Sequence, residues 1–190
     1  MSTLEWTGGL KFINNNHNGN LKIKGGSLFL EDKTKITGTV VVNMLSMTNI
    51  DLPDNKKEYL IGHLRNEDFF HVERFPTASL KINNSKILEK QSSGKYNMEV
   101  SGDLTIKSIT KPITFTAIVD LDSDVKSATG TMQFNRADFG VQYRTEMHLD
   151  DAKSFWNSAT TTKETLKDKV IKDEIDIKFN IVSMPGLLER

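Results

Sequence analysis

Along most of this chain apolar and polar residues alternate one for one. Leu4, Trp6, Gly8, Leu10 and Phe12 share one parity while Glu5, Thr7 and Lys11 hold the other, and a period of two predicts a strand with one buried face. Asn14 to Gly19 ends in an Asn-Gly pair, the dipeptide that favours tight hairpins, and predicts a turn. Leu21 and Ile23 resume the alternation, Gly25-Gly26 predicts a further turn into Leu28 and Leu30, and Ile36, Val40, Val42 and Met44 mark the next strand. Ala78, Leu80 and Ile82 begin another. Tyr96, Met98, Val100, Gly102, Leu104 and Ile106 form the longest unbroken alternation, and a reversal at Ser108 to Pro112 sends Ile113, Phe115, Ala117, Val119 and Leu121 back beside it. Pro112 fits the start of a strand, where a missing N–H is tolerated. Ala128, Gly130, Met132 and Phe134 supply one more inward parity, Arg136 to Gly140 breaks it as a bulge or corner, and Ile175, Ile177, Phe179 and Ile181 close the chain.

One stretch departs from this rhythm. Leu60 to Ser79 has no strand alternation in its first half, carries Phe69, Phe70 and Phe75, and stops at Pro76, which disfavours helix at the residue before it. Glu58 to Arg65 reads as one or two helical turns with Leu60, Ile61 and Leu64 inward, and Asn66 as the cap of a short turn through Phe69 and Phe70. A connector so loaded with aromatics needs an apolar space to enter, as the plug of a barrel end or the cap of a sandwich. Residues 144–169 carry little pattern: Phe155 and Trp156 pack somewhere, and Thr161-Thr162-Lys163-Glu164 predicts a capping box for a short helix holding Leu166 and Val170.

Short strands joined by hairpins, with few helical patterns, predict an all-β fold, an antiparallel barrel or sandwich of about eight strands with one or two short helices. The 190 residues show no break in composition, so residues 1–190 read as a single domain. A barrel of about eight strands is either filled by its own side chains or holds one small ligand, and periodicity leaves both open.

Composition narrows the chemistry. Lysines plus arginines number 25 and acids 25, a net charge of zero, so there is no basic field to draw nucleic acid. The absence of cysteine excludes disulfides, thiolate metal sites and Cys nucleophiles, and suits either redox compartment. No apolar run approaches the roughly 20 residues of a membrane span, and the N-terminus lacks a charged and then apolar leader. His63, His71 and His148 are not at metal-ligand spacing. There is no Ser-His-Asp elbow, phosphate-binding glycine loop or paired-carboxylate cleft, and Asp150-Asp151 reads as a solvated turn; the expectation is no enzyme and no cofactor. Arg65, Arg74 and Arg136 read as braces to Asp68, Glu73 and Asp138, and His17 as a hydrogen-bonded structural histidine.

Several separated motifs carry a resemblance. Phe12 with His17 and Gly19, the run Gly62-His63-Leu64-Arg65 to Asp68-Phe69-Phe70, then Val72-Glu73-Arg74-Phe75-Pro76-Thr77-Ala78, Gly102-Asp103-Leu104-Thr105-Ile106-Lys107 with Thr110-Lys111-Pro112, and Asn135-Arg136 with Asp138-Phe139-Gly140-Val141 occur in the order of the YceI-like family of polyisoprenoid-binding proteins, which the chain resembles over nearly its whole length. Ser108 stands where that family usually has glycine and His71 where an acid or small residue is common. The resemblance implies an extended, lipocalin-like antiparallel β-barrel whose apolar pore holds the chain of an isoprenoid lipid, a prenyl quinone or a polyprenyl alcohol or phosphate. It further implies a periplasmic or secreted protein if a signal peptide has been removed, a cytoplasmic one otherwise, and homodimers as a common assembly. Given such a pore, the expected ligand-binding residues are Phe12, Met44, Phe69, Phe70, Phe75, Met98, Phe115, Met132, Phe134 and Phe139, since a polyprenyl chain is gripped by aromatic, aliphatic and polarizable thioether groups. The rival expectation is a structural or stress-response barrel, filled by its own side chains, whose partner is another protein.

Overall fold

A computed structural model of the chain describes residues 1–32, 34–145 and 169–183. Eight strands run up and down in sequence order: β1 (Thr3–Gly9), β2 (Asn16–Glu31), β3 (Lys35–Asn43), β4 (Thr77–Lys90), β5 (Tyr96–Ile106), β6 (Ile109–Asp120), β7 (Ser127–Asn135) and β8 (Glu174–Val182). Every neighbouring pair is antiparallel, and β1 pairs with β8 to close the sheet into a barrel. Closure removes most of the free edges that an open sheet would expose. The weak segment between Ser46 and Phe75 holds one helix, α1 (Asp54–Arg65), longer than the alternation suggested because Pro53 precedes its first turn and Asp54 sits at its positive end. Residues 161–168 of the expected short helix and the placements of Phe155 and Trp156 lie outside the described residues.

The hairpin chemistry differs from expectation at three places. β1 ends at Gly9, the chain bends over 11–14, and Asn18-Gly19 lies within β2. The glycine serves close approach instead of a turn: a Cβ on Gly19 would stand 1.7 Å from the Thr48 carbonyl oxygen. Gly25-Gly26 likewise does not reverse the chain but sits at a bulge inside the 16-residue β2, where the register to β3 shifts. The β5–β6 reversal is made by Lys107 and Ser108 alone, both with positive φ (49° and 64°), which is a type I′ turn; Pro112 falls inside β6.

One end of the barrel, where β3 runs into α1 and β7 into β8, is plugged. Trp6, Met44, Met47, Ile61, Phe69, Phe70, Val72, Leu104, Phe139 and Val141 pack there as one apolar cluster. Polar ties hold the plug to the strands. Trp6 Nε1 donates to the Thr48 carbonyl (3.0 Å), Arg65 to the carbonyls of Leu45 and Met47 (both 2.8 Å), and Lys107 Nζ to those of Phe69 (2.8 Å) and Gly140 (3.1 Å). At the far end, beneath the β4–β5 and β6–β7 turns, Leu30, Ile82, Met98, Val100, Ala117, Val119 and Leu121 form a second cluster.

Candidate functional site

Between the two clusters the barrel axis is hollow. A cavity of about 400 Å³ runs along it, within the roughly 300–1,000 Å³ range of ligand pockets. Its wall follows from the alternation: the inward parity of each strand contributes, with Leu4 and Trp6 from β1, Leu21 and Leu28 from β2, Val40 and Val42 from β3, Leu80 and Ile82 from β4, Val100 and Leu104 from β5, Phe115 and Val119 from β6, Ala128 and Met132 from β7, and Ile177 and Phe179 from β8. Leu60 and Leu64 of α1 and the plug residues Phe69 and Phe70 complete the wall at one end.

Of the residues expected from sequence, Met44, Phe69, Phe70, Phe115, Met132 and Phe134 stand on this wall. Phe69 and Phe70 both plug the barrel end and line its interior, so the two roles are not alternatives. Four others stand elsewhere. Phe12 lies beyond the end of β1 and is 47% exposed, because the strand that would have turned it inward stops at Gly9. Phe75 is half-buried off the wall and packs against His71 (ring centroids 5.9 Å) with Arg74 over its ring (5.3 Å). Met98 points inward but is fully enclosed in the far cluster. Phe139 sits one layer behind the wall, edge-on to Phe134 at 5.6 Å. Trp6 and Phe179, which are not among the expected ligand-binding residues, also line the cavity; the signal for both is the inward parity of β1 and β8.

Polar groups on the wall gather at the plugged end: Asn15, His17, His63 and Arg136. Arg136 is fully buried. Its guanidinium donates to the carbonyls of Lys172 (2.9 Å), Val141 (2.9 Å) and Ile171 (3.2 Å) and to the Asp173 carboxylate (3.1 Å), and lies 5.7 Å from the Phe69 ring centroid. The expected brace to Asp138 is therefore replaced by one to Asp173, since the turn over Arg136–Phe139 (a short 3₁₀ segment) swings the side chain inward. Burial lowers the guanidinium's pKa, with Asp173 and then Glu174 opposing, yet arginine remains a cation at neutral pH. Arg65 and Arg74, by the contacts above, brace through carbonyls and a ring. His17 Nδ1 meets Asp51 Oδ2 at 2.8 Å, tying β2 to the segment before α1. Burial works against the Asp51 charge, but hydrogen bonds from His17, the Asn18 amide and Asn49 outweigh it and hold its pKa below the ordinary value. His63 packs edge-on between Phe69 (4.9 Å) and Tyr143 (4.7 Å); burial pushes its pKa down, partly opposed by Asp68, with Arg144 adding to the depression.

Among the described residues no group of three or more His, Cys, Asp or Glu side chains is placed to hold a metal ion, and no helix is long and apolar enough to cross a membrane. His148 and Asp150-Asp151 lie outside the described residues. The wall offers a guest dispersion and area removal from water with few polar contacts, which suits a hydrocarbon.

Known proteins give the same fold. The family model described as the YceI-like domain matches residues 2–183. A UPF0312 protein of Vibrio cholerae serotype O1 is 28% identical over 138 residues, covering 67% of this chain and 69% of the relative. The crystal structure of Burkholderia cenocepacia BcnA superposes with a TM-score of 0.64 at 19% identity over 96% of both chains. A structure described as a polyisoprenoid binding domain from Saccharophagus degradans superposes with a TM-score of 0.56 at 12% identity, covering 95% of this chain and 92% of that one.

Proposed function

The chain belongs to the YceI-like domain family, and from that membership and its hollow apolar interior we propose that it binds the hydrocarbon chain of an isoprenoid lipid, a prenyl quinone or a polyprenyl alcohol or phosphate, for carriage, storage or sensing. The observation that carries this reading is the cavity of about 400 Å³ walled by the inward aliphatic and aromatic side chains of all eight strands. A prenyl tail presents almost only CH, CH₂ and CH₃ groups, so affinity comes from area removed from water, nominally about 4 kcal/mol per five-carbon unit at about 0.8 kcal/mol per buried CH₂. Ordering of the tail and loss of its earlier burial in a bilayer offset most of that sum. Asn15, His17 and His63 gather on the wall at the plugged end, which supports a reading with the lipid's head there and its tail terminus toward Val119 and Ala128. Arg136 serves this site as a tie between the turn after β7 and the segment before β8 and not as a head-group contact, since the carbonyls of Val141, Ile171 and Lys172 and the Asp173 carboxylate engage its guanidinium. The function is binding, with no cofactor beyond the lipid, in the envelope if the chain is exported and in the cytoplasm otherwise.

Native mass spectrometry of gently purified protein tests the reading: a co-retained lipid of isoprenoid mass is expected, and the same spectra report whether the chain forms the homodimer that the resemblance implies. Delipidated protein should then bind a prenyl quinone with quenching of Trp6, which lines the cavity. Protein that retains no lipid and whose fluorescence no prenyl quinone changes would overturn it and leave the self-filled barrel.

A further inference from the structure

The barrel wall is not equally sealed all the way round. The β6–β7 ladder runs from Asp120↔Ser127 to Ala117↔Gly130 and stops there. Beyond that point β6 continues to Ile109 paired with β5, and β7 continues to Asn135 paired with β8; among the described residues no ladder joins the two. A slit therefore opens between them toward the plugged end, flanked on the cavity side by Phe115, Met132 and Phe134.

The backbone at this slit has a defined chemistry. Ile106 and Ile109 flank the two-residue Lys107-Ser108 turn and so form a hydrogen-bonded pair, which makes alternate residues of β6 bond to β5. Thr110, Pro112 and Thr114 are the others beyond the ladder's end, whose backbone groups face the slit. Pro112 has no N–H to present there, and proline on an open edge blunts addition of a foreign strand. This edge is built to stay unpaired.

Side chains close what the backbone leaves open. On the outer surface a depression lined by Thr116, Ile118, Thr129 and Thr131 reaches Ala117 and Phe179, and those two residues also line the inner cavity. The inner and outer spaces thus share a wall one side chain thick at the place where the ladder ends. β7 contributes Gly130 at this point, and an added Cβ would lie 2.8 Å from both Phe179 Cζ and the Thr116 carbonyl oxygen. The ring tip of Phe179, rooted on β8, therefore crosses β7 at Gly130 to reach β6, where it meets Phe115 edge-on at 5.6 Å. At this point the Phe179 ring lies between the inner cavity and the outer depression.

We propose that this is a lateral window through which the hydrocarbon tail enters and leaves the barrel, with Phe179 and Phe115 as its shutter and Gly130 as its sill. The proposal rests on the lipid-binding reading of the same cavity. It differs from loading through either barrel end in predicting that the two sides of one slit control rate without controlling affinity.

The chain has no cysteine, so introduced thiols are the only ones. Thr116 and Thr131 are exposed on opposite sides of the slit, one residue beyond the last ladder pair, and the variant T116C/T131C, oxidised or joined by a short cleavable thiol cross-linker, fastens it from outside. T129C/N180C, a laddered pair of β7 and β8, controls for cross-linking itself. The readout is stopped-flow quenching of Trp6 by a prenyl quinone, forward and on dilution into empty vesicles. Fastened T116C/T131C should show association and dissociation both slowed at least tenfold, Kd within twofold of the uncross-linked protein, and recovery on cleavage. Unchanged rates, or equal slowing in the control, would overturn the window while leaving lipid binding intact; wild-type protein that binds no prenyl quinone would overturn both. Where the double variant does not fold or does not cross-link, Phe179→Leu decides: a smaller shutter should speed association severalfold, and an unchanged or slower association rate would overturn the proposal.

Discussion

Placing a phenyl ring at the tail end of the cavity separates a hollow barrel from a packed one by two independent readings. Ala128 is an inward residue of β7 that lines the cavity near the far end, opposite Val119 of β6 and Ile181 of β8. In a close-packed interior, Ala128→Phe would force strained rotamers and cost about 1–3 kcal/mol of stability. In a vacant cavity the added ring gains contacts, so stability should stay within about 0.5 kcal/mol of the parent or rise. Its six ring carbons occupy about the room of one five-carbon isoprene unit. Expelling that unit forfeits nominally about 4 kcal/mol; after the ordering and membrane offsets, about 1–2 kcal/mol should be visible, a five- to thirty-fold rise in Kd. The loss should appear for tails long enough to reach Ala128 and vanish for a homologue one unit shorter. Urea unfolding followed by tryptophan fluorescence gives the first number, and titration with prenyl quinones of graded tail length gives the second. A destabilisation of 2 kcal/mol or more, or an affinity loss independent of tail length, would refute the argument that this space is empty and takes the tail terminus.

Arg136→Met should cost about 3–5 kcal/mol, because the carbonyls of Val141, Ile171 and Lys172 lose their donor and Asp173 loses a guanidinium in a buried setting; a drop in melting temperature of roughly 6–20 °C is expected, and a loss below 1 kcal/mol would show the guanidinium to be incidental. Gly19→Ala puts a Cβ 1.7 Å from the Thr48 carbonyl oxygen and must push that segment off β2, with an expected loss of about 2–4 kcal/mol in chemical denaturation; an unchanged midpoint would mean the segment's position is not fixed by this contact. The lowered pKa of His63 means the unfolded chain takes up its proton first, so stability conferred by the neutral ring is complete above the ordinary histidine pKa of about 6.5 and is lost as pH falls below it. Melting curves from pH 7.5 to 5.0 should decline in the parent and flatten in that range for His63→Phe, and equal slopes would exclude His63 as the source. Asp51, also lowered, acts in the same direction only below about pH 4.

The period of two was enough to predict an antiparallel fold of about eight strands and the inward parity of most of them, because alternation is local: successive side chains of a strand point to opposite sides whatever the strand pairs with. The aromatic density of Leu60 to Ser79 was likewise enough to mark a connector that enters an apolar space, with plug and cap both open. What alternation lacks is any measure of length or partner. Phe12 shares the parity of Leu4 and Trp6, but β1 stops at Gly9 when its ladders with β2 and β8 run out, and the ring ends up outside. Asn18-Gly19 has the composition of a turn, yet the distant segment at Thr48 presses against it, so tertiary contact overrides local propensity. Whether Met98 fills the barrel or faces its cavity depends on how closely neighbouring strands converge at that level, which no single strand encodes. The same holds for the slit at Gly130: sequence shows a glycine at an inward position, and only closing the barrel reveals that the β6–β7 ladder ends there and that a ring from β8 covers the gap. Local chemistry fixed which side chains face inward; the curvature and register of the closed sheet decided which of them meet each other and which leave room for a guest.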